Sequence, residues 1–121
     1  MSSRFTELCI DSRNPQRLAE FWAAVLDWRI EPDDDDDAVE IVDPEGGPTA
    51  LLFIAVQESK TVKNRLHIDV NPRDREQADE VERVLALGAT RADVGQGDDV
   101  SWVVLADPEG NEFCILSSRR P

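Results

Sequence analysis

A chain of 121 residues with 26 acidic and 13 basic side chains, formal net charge −13, is long enough to bury a core without metals or disulfides. Its acidity repels nucleic-acid phosphate and anionic membrane surfaces; of small molecules net charge alone favours a cation, though simple solubility is the preferred reading of such acidity. No apolar run approaches the roughly 20 residues that cross a bilayer, and Met1-Ser2-Ser3-Arg4 lacks the apolar core of a secretion signal, so a cytoplasmic chain is expected.

Phe5 to Asp11 alternates, with Leu8 and Ile10 on one face and Glu7, Cys9 and Asp11 on the other, which predicts a half-buried strand. Asn14-Pro15 then opens a helix as N-cap and first helical residue. Leu18, Phe21, Trp22, Val25 and Leu26 form its apolar stripe, and it ends near Asp27. Trp28 to Glu31 reads as a short strand. The five aspartates of residues 33–37 repel one another and predict a solvated hairpin tip. They lack the spaced ligands and turning glycine of a calcium loop. Ala38 to Val42 is the next strand. Asp43-Pro44-Glu45-Gly46-Gly47-Pro48 turns the chain into the apolar strand Ala50 to Val56, expected to be buried on both faces.

Glu58 to Asn64 is a polar connection, with Lys60, Lys63 and Arg65 read as a solvated basic cluster and contact with an anionic ligand as the alternative. A strand follows, with Leu66, Ile68 and Val70 on its apolar face and Arg65, His67 and Asp69 opposite. Asp74 with Gln77 resembles a capping box, and Ala78, Val81, Val84, Leu85 and Leu87 predict the core face of a second helix that stops at Gly88. Ala89 to Val94 is a weak strand. Residues 95–99 contain Gly-x-Gly, but no helix follows, so a hairpin turn rather than a phosphate cradle is expected. Val100 to Ala106, a turn at Asp107-Pro108-Glu109-Gly110, and Glu112 to Ser117 complete the chain. Cys9 and Cys114 form no metal-type spacing or disulfide framework, and both are expected to be buried thiols. Core packing is expected of Trp22, Trp28 and Trp102, with a stacking surface for a flat ligand as the alternative.

The chain repeats itself. Asp43-Pro44-Glu45-Gly46 recurs as Asp107-Pro108-Glu109-Gly110. Ile10-Asp11 precedes Asn14-Pro15 as Ile68-Asp69 precedes Asn71-Pro72, and Leu26-Asp27 matches Leu87-Gly88. The pairs keep their order, so two copies of one unit are predicted, about residues 4–57 and 64–118, within a single domain. Each copy reads strand, helix, three strands. The fold class is α+β: two βαβββ modules forming curled mixed sheets around a cavity.

Paired modules of this kind resemble the vicinal oxygen chelate (VOC) superfamily of glyoxalase I, bleomycin-resistance proteins and extradiol dioxygenases. The similarity to its small glyoxalase-like domain proteins rests on four stretches: Leu18-Ala19-Glu20-Phe21-Trp22 through Leu26-Asp27-Trp28; Lys63-Asn64-Arg65-Leu66-His67-Ile68-Asp69-Val70; Leu87-Gly88-Ala89; and Asp107-Pro108-Glu109-Gly110-Asn111-Glu112-Phe113. In the superfamily's metal enzymes a divalent ion is held by an inward side chain from the first and last strand of each module. The resemblance therefore implies His67, Glu112 and Glu7 as metal ligands, with Zn, Ni, Mn or Fe as the ion and Glu112 as the candidate catalytic carboxylate. Strand parity puts all three on the face away from the apolar side chains. The last strand of module one, residues 49–56, contains no carboxylate, histidine or amide, so the fourth ligand is absent. Aligning Ile10 with Ile68 sets Cys9, not Glu7, against His67, whereas spacing to the Phe21-Trp22 helix selects Glu7.

A metal-free reading stands beside this one. His67, Asp69 and Arg65 then form a satisfied polar cluster, and Glu112 answers Arg65 or the turn. Arg65, Asp69 and Trp102 are the candidate ligand-binding residues. Three functions follow: a metal-dependent lyase or isomerase acting on a small oxygen-rich substrate; a metal-free binder that sequesters a small molecule, as bleomycin-resistance proteins do; or a dimeric module without chemistry. A small-molecule-binding protein is the preferred reading. The resemblance also implies a homodimer.

Overall fold

The computed structural model describes residues 2–31, 37–92 and 101–117. The chain divides into two compact units, Met1–Ser59 and Lys60–Pro121, so the boundary falls inside the polar connection between the repeats.

The first unit contains β1 (Glu7–Ser12), α1 (Pro15–Leu26), β2 (Arg29–Glu31), β3 (Ala38–Val42) and β4 (Ala50–Ala55). Its sheet runs β1-β4-β3-β2. β1 lies parallel to β4, with Ile10 opposite Phe53, and the other pairings are antiparallel. The parallel pair requires a crossover, and α1 begins it. Asn14 accepts the Arg17 amide through its side chain, Pro15 occupies the first turn, and Asp27 ends the helix in the left-handed region at φ 57°. Leu18, Phe21 and Trp22 are almost fully buried against the sheet together with Ile41 and Phe53. Phe21 and Trp22 meet edge to face with ring centroids 5.4 Å apart.

The second unit contains β5 (Ile68–Val70), α2 (Gln77–Leu87), β6 (Thr90–Arg91), β7 (Val103–Ala106) and β8 (Glu112–Ile115). Its sheet order, β5-β8-β7-β6, is that of the first unit, with β5 parallel to β8 and the rest antiparallel. Val81, Val84, Leu105, Phe113 and Ile115 form the core. The repeated turns fold alike. The Gly46 amide donates to the Asp43 carbonyl and the Gly110 amide to the Asp107 carbonyl, at 3.0 and 2.8 Å. Both glycines take positive φ, 88° and 89°, which is why this position requires glycine.

Several expectations need correction. Cys9 is exposed, because it shares the Glu7–Asp11 face of β1 that α1 does not cover. β4 is buried at Leu51 and Phe53 but only half-buried at Leu52 and Ile54, so its second face is partly open. Leu66 is 79% exposed, since ladder pairing in β5 starts only at Ile68 and the apolar face has nothing to pack on before it. No capping box forms at α2. Glu76 takes the N-cap without a side-chain hydrogen bond, Asp74 contacts Arg75, and the Gln77 amide donates to the Ser101 and Ile115 carbonyls. The buried stripe of α2 is Glu80, Val81 and Val84 rather than one including Ala78, which is exposed. Arg83 holds the buried Glu80 carboxylate through two 2.8 Å contacts. The aspartate run at 33–36 and the glycine loop at 95–99 lie outside the described residues. Among the described residues, no helix is long and apolar enough to cross a membrane.

Candidate functional site

β5 and β8 run side by side and carry polar side chains on the face away from α2. Ladder pairing sets Ile68 opposite Phe113 and Asp69 opposite Cys114. Alternation therefore puts His67 and Asp69 of one strand on the same face as Glu112 and Cys114 of the other. These four, with Lys63, Trp102, Val104 and Leu116, line an open cavity of about 380 Å³ in the second unit. Val104 and Leu116 give it an apolar wall. Trp102 stands at that wall 41% exposed, contrary to the core packing expected of it; Trp28 is only half-buried, while Trp22 packs as expected.

Both carboxylates of the cavity have partners. Glu112 Oε2 accepts the Lys60 ammonium at 2.8 Å, and its Oε1 accepts the Asn64 amide at 3.1 Å. The pair is largely shielded, with side-chain exposures of 19% for Lys60 and 14% for Glu112. Burial by itself pushes the Glu112 carboxyl up, but the Lys60 ammonium and the backbone amides outweigh it and hold the group below its ordinary range. The Asn64 side chain also donates to Asn111 Oδ1 at 2.8 Å, so the connection is tied to the turn before β8 at two points. Glu112 thus answers Lys60 and not Arg65, and Lys60 is a paired group rather than a solvated one.

His67 Nε2 lies 3.1 Å from Asp69 Oδ1. The side-chain donor atoms of His67, Asp69 and Cys114 all lie within 4.8 Å of one another. Burial pushes the Cys114 thiol up, and the charge and hydrogen bond of Asp69 push it further, so it stays protonated; only Lys63 opposes this. Of the residues predicted for the site, His67, Asp69, Glu112 and Trp102 meet in this cavity. Arg65 is exposed on the strand approach and is not part of its lining. Glu7 opens β1 in the first unit and is exposed. The two sheets place Ile10 against Phe53 and Ile68 against Phe113, so the counterpart of His67 in module one is Cys9, and that of Glu112 is Leu52. Cys114 and Asn64 escaped the sequence reading as site residues, and Lys60 and Lys63 entered it only as part of a basic cluster with contact to an anionic ligand as the lesser alternative. Strand parity could have found Cys114, two residues after Glu112. Nothing local signals that Lys60 reaches a strand 52 residues away in sequence.

The fold family implies a divalent ion between the first and last strands of a module. The residues present do not fit one at His67 and Glu112, because both Glu112 oxygens already carry protein donors and one of these is an ammonium. A dication there would have to displace Lys60 or sit beside it.

Two modules with one strand order, each a helix laid on a four-stranded mixed sheet, define the architecture of the glyoxalase/bleomycin resistance/dioxygenase class within the VOC superfamily. The chain belongs to the glyoxalase-like domain family, whose model matches residues 7–116. It is similar in fold to a glyoxalase/bleomycin resistance protein/dioxygenase family enzyme from Burkholderia phytofirmans PsJN, at 18% identity and TM-score 0.70, covering 93% of this chain and 97% of that one. It is likewise similar to the fosfomycin resistance protein FosX from Mesorhizobium loti, at 15% identity and TM-score 0.70, covering 98% and 94%. A mutant FosX from Listeria monocytogenes complexed with Mn(II) and a dihydroxypropylphosphonic acid matches at 12% identity and TM-score 0.74, covering 98% and 94%. Identities this low carry the fold and not the activity. No curated protein matches the chain significantly.

Proposed function

We propose that this chain is a small-molecule-binding protein whose ligand enters the module-two cavity and is held there without a metal ion. The observation that carries this reading is the shielded Lys60–Glu112 pair, with the Asn64 amide on the second oxygen: the carboxylate expected to grip an ion is already neutralised by the protein. An apolar wall with an exposed indole facing a few polar groups is what a small-ligand pocket requires. The test is a fragment screen by NMR on chelator-treated protein, following the Trp102 indole and the β5 and β8 amides. Fragments should shift these signals in the absence of metal, and chelator should leave the melting temperature unchanged. Shifts that appear only after a divalent ion is added would sink the reading.

A second reading is favoured by the His67, Asp69 and Cys114 donors lying within 4.8 Å of one another. It is a glyoxalase-type lyase or isomerase on a small oxygen-rich substrate, with an ion on those three groups. Its ion would have to deprotonate Cys114 and tolerate Lys63 beside it. Elemental analysis of the purified protein and of His67→Ala separates the two: a stoichiometric ion lost in the variant establishes the metal reading. A cytoplasmic homodimer is the proposed state in either case.

A further inference from the structure

We infer that the module-two cavity selects an anionic ligand, a flat apolar molecule carrying a carboxylate or similar oxyanion, with Lys63 as the residue that binds its charge. This rests on the cavity being a small-molecule site. The net charge of −13 suggests the opposite, a cation, but distant charges are screened over about 8 Å at physiological salt, so the local groups decide. Four charged or titratable oxygen- and nitrogen-bearing side chains line the cavity: Lys63, His67, Asp69 and Glu112. Glu112 is neutralised by the Lys60 ammonium and also accepts from Asn64, whereas Asp69, with 48% of its side chain exposed, meets among the described residues only the His67 imidazole and the Cys114 thiol.

Lys63 differs. Among the described residues its ammonium has one hydrogen bond, to the adjacent Asn64 carbonyl at 3.5 Å, the weak limit of such a contact. It is exposed at the cavity's edge and lines it, close enough for its charge to act on the Cys114 thiol. Its neighbours explain how it is held there. Lys60 is fixed to Glu112, and Asn64 is fixed to Glu112 and Asn111, so the connection is pinned on both sides of Lys63. Glu112 is on this account a positioning residue. Across the cavity, Trp102, Val104 and Leu116 provide an apolar surface for a ring, and a planar anion would bridge the two.

The experiment compares 2-naphthoate, its neutral amide and the corresponding 2-naphthylmethylammonium ion on the full chain. Affinity is taken from NMR titration, with the Trp102 indole signal reporting the site. Naphthoate is expected to bind about fivefold tighter than the amide, the size of one solvent-accessible charge contact, and the ammonium ion weakest. Lys63→Gln should bring naphthoate down to the amide's affinity while leaving the amide unchanged, and Lys63→Arg should restore the preference. Glu112→Gln should lower the preference as well, by releasing the connection. Equal binding of acid and amide with Trp102 shifts, or an unchanged preference in Lys63→Gln, overturns the inference and leaves the cavity reading standing. If none of the three probes moves the Trp102 indole, the cavity reading falls and takes the inference with it.

Discussion

Glu112 shows how one side chain can be predicted at the right place and serve a different end. Its parity, its strand and its inward direction are as expected, yet its oxygens belong to Lys60 and Asn64. Removing one partner of a shielded ion pair leaves the other uncompensated, so Glu112→Ala should cost about 2 kcal/mol, less than for a fully buried pair because solvent still reaches the site. The pH dependence has a definite sign. The folded carboxyl lies below its ordinary value of 4.5, so the pair's contribution is complete above that pH and fades as pH falls through the lower folded value. The urea midpoint of wild type should therefore exceed that of Glu112→Gln at neutral pH, and the gap should close in acid. A gap that stays constant to the lowest pH at which the chain folds would show that the pair contributes little.

At the scale of elements, the repeated Asp-Pro-Glu-Gly turn is the part most directly written in the sequence, but its copies are not equally built. Asp107 is buried, and its Oδ1 accepts the Glu109 amide, the Asn111 amide and the Asn111 side chain. Asp43 is half-buried and accepts the Glu45 amide. The difference follows from what comes next: Asn111 donates its side chain back to Asp107 and leads straight into β8, whereas the matching position of the first turn is Gly47, which has no side chain to donate, and β4 begins only at Ala50. Asp107→Ala should cost about 2 to 3 kcal/mol and Asp43→Ala about 1 kcal/mol, measured by equilibrium denaturation. Equal costs would mean that the second turn's extra hydrogen bonds contribute nothing net.

For the whole molecule the governing quantity is charge. A sequence pI near 4.3 means that mild acid removes the self-repulsion that keeps copies of the chain apart. Solubility, followed by light scattering across pH, should pass through a minimum near that value and recover above it. Net charge says little about the ligand. Within the cavity Glu112 is paired with Lys60, and acidity on exposed surfaces is screened by salt.

Much of this protein was legible from residue order alone. Period-two and helical patterning marked the strands and both helices, Asn14-Pro15 and Asp27 bounded α1, and the repeated turn announced two copies of one unit, because these features depend on neighbours close in the chain. The same parity placed His67 and Glu112 on one face. Tertiary structure alone decided the rest. Leu66 lost its expected burial because the ladder starts only at Ile68, and Ala78 because it lies on the uncovered side of the first turn of α2. Trp102 came to an open wall. Lys60, in a polar stretch without local structure, found its partner far along the chain, and that single long-range pair converts an expected ion site into a neutralised one. Periodicity records which way a side chain points, but not which distant charge it will meet there.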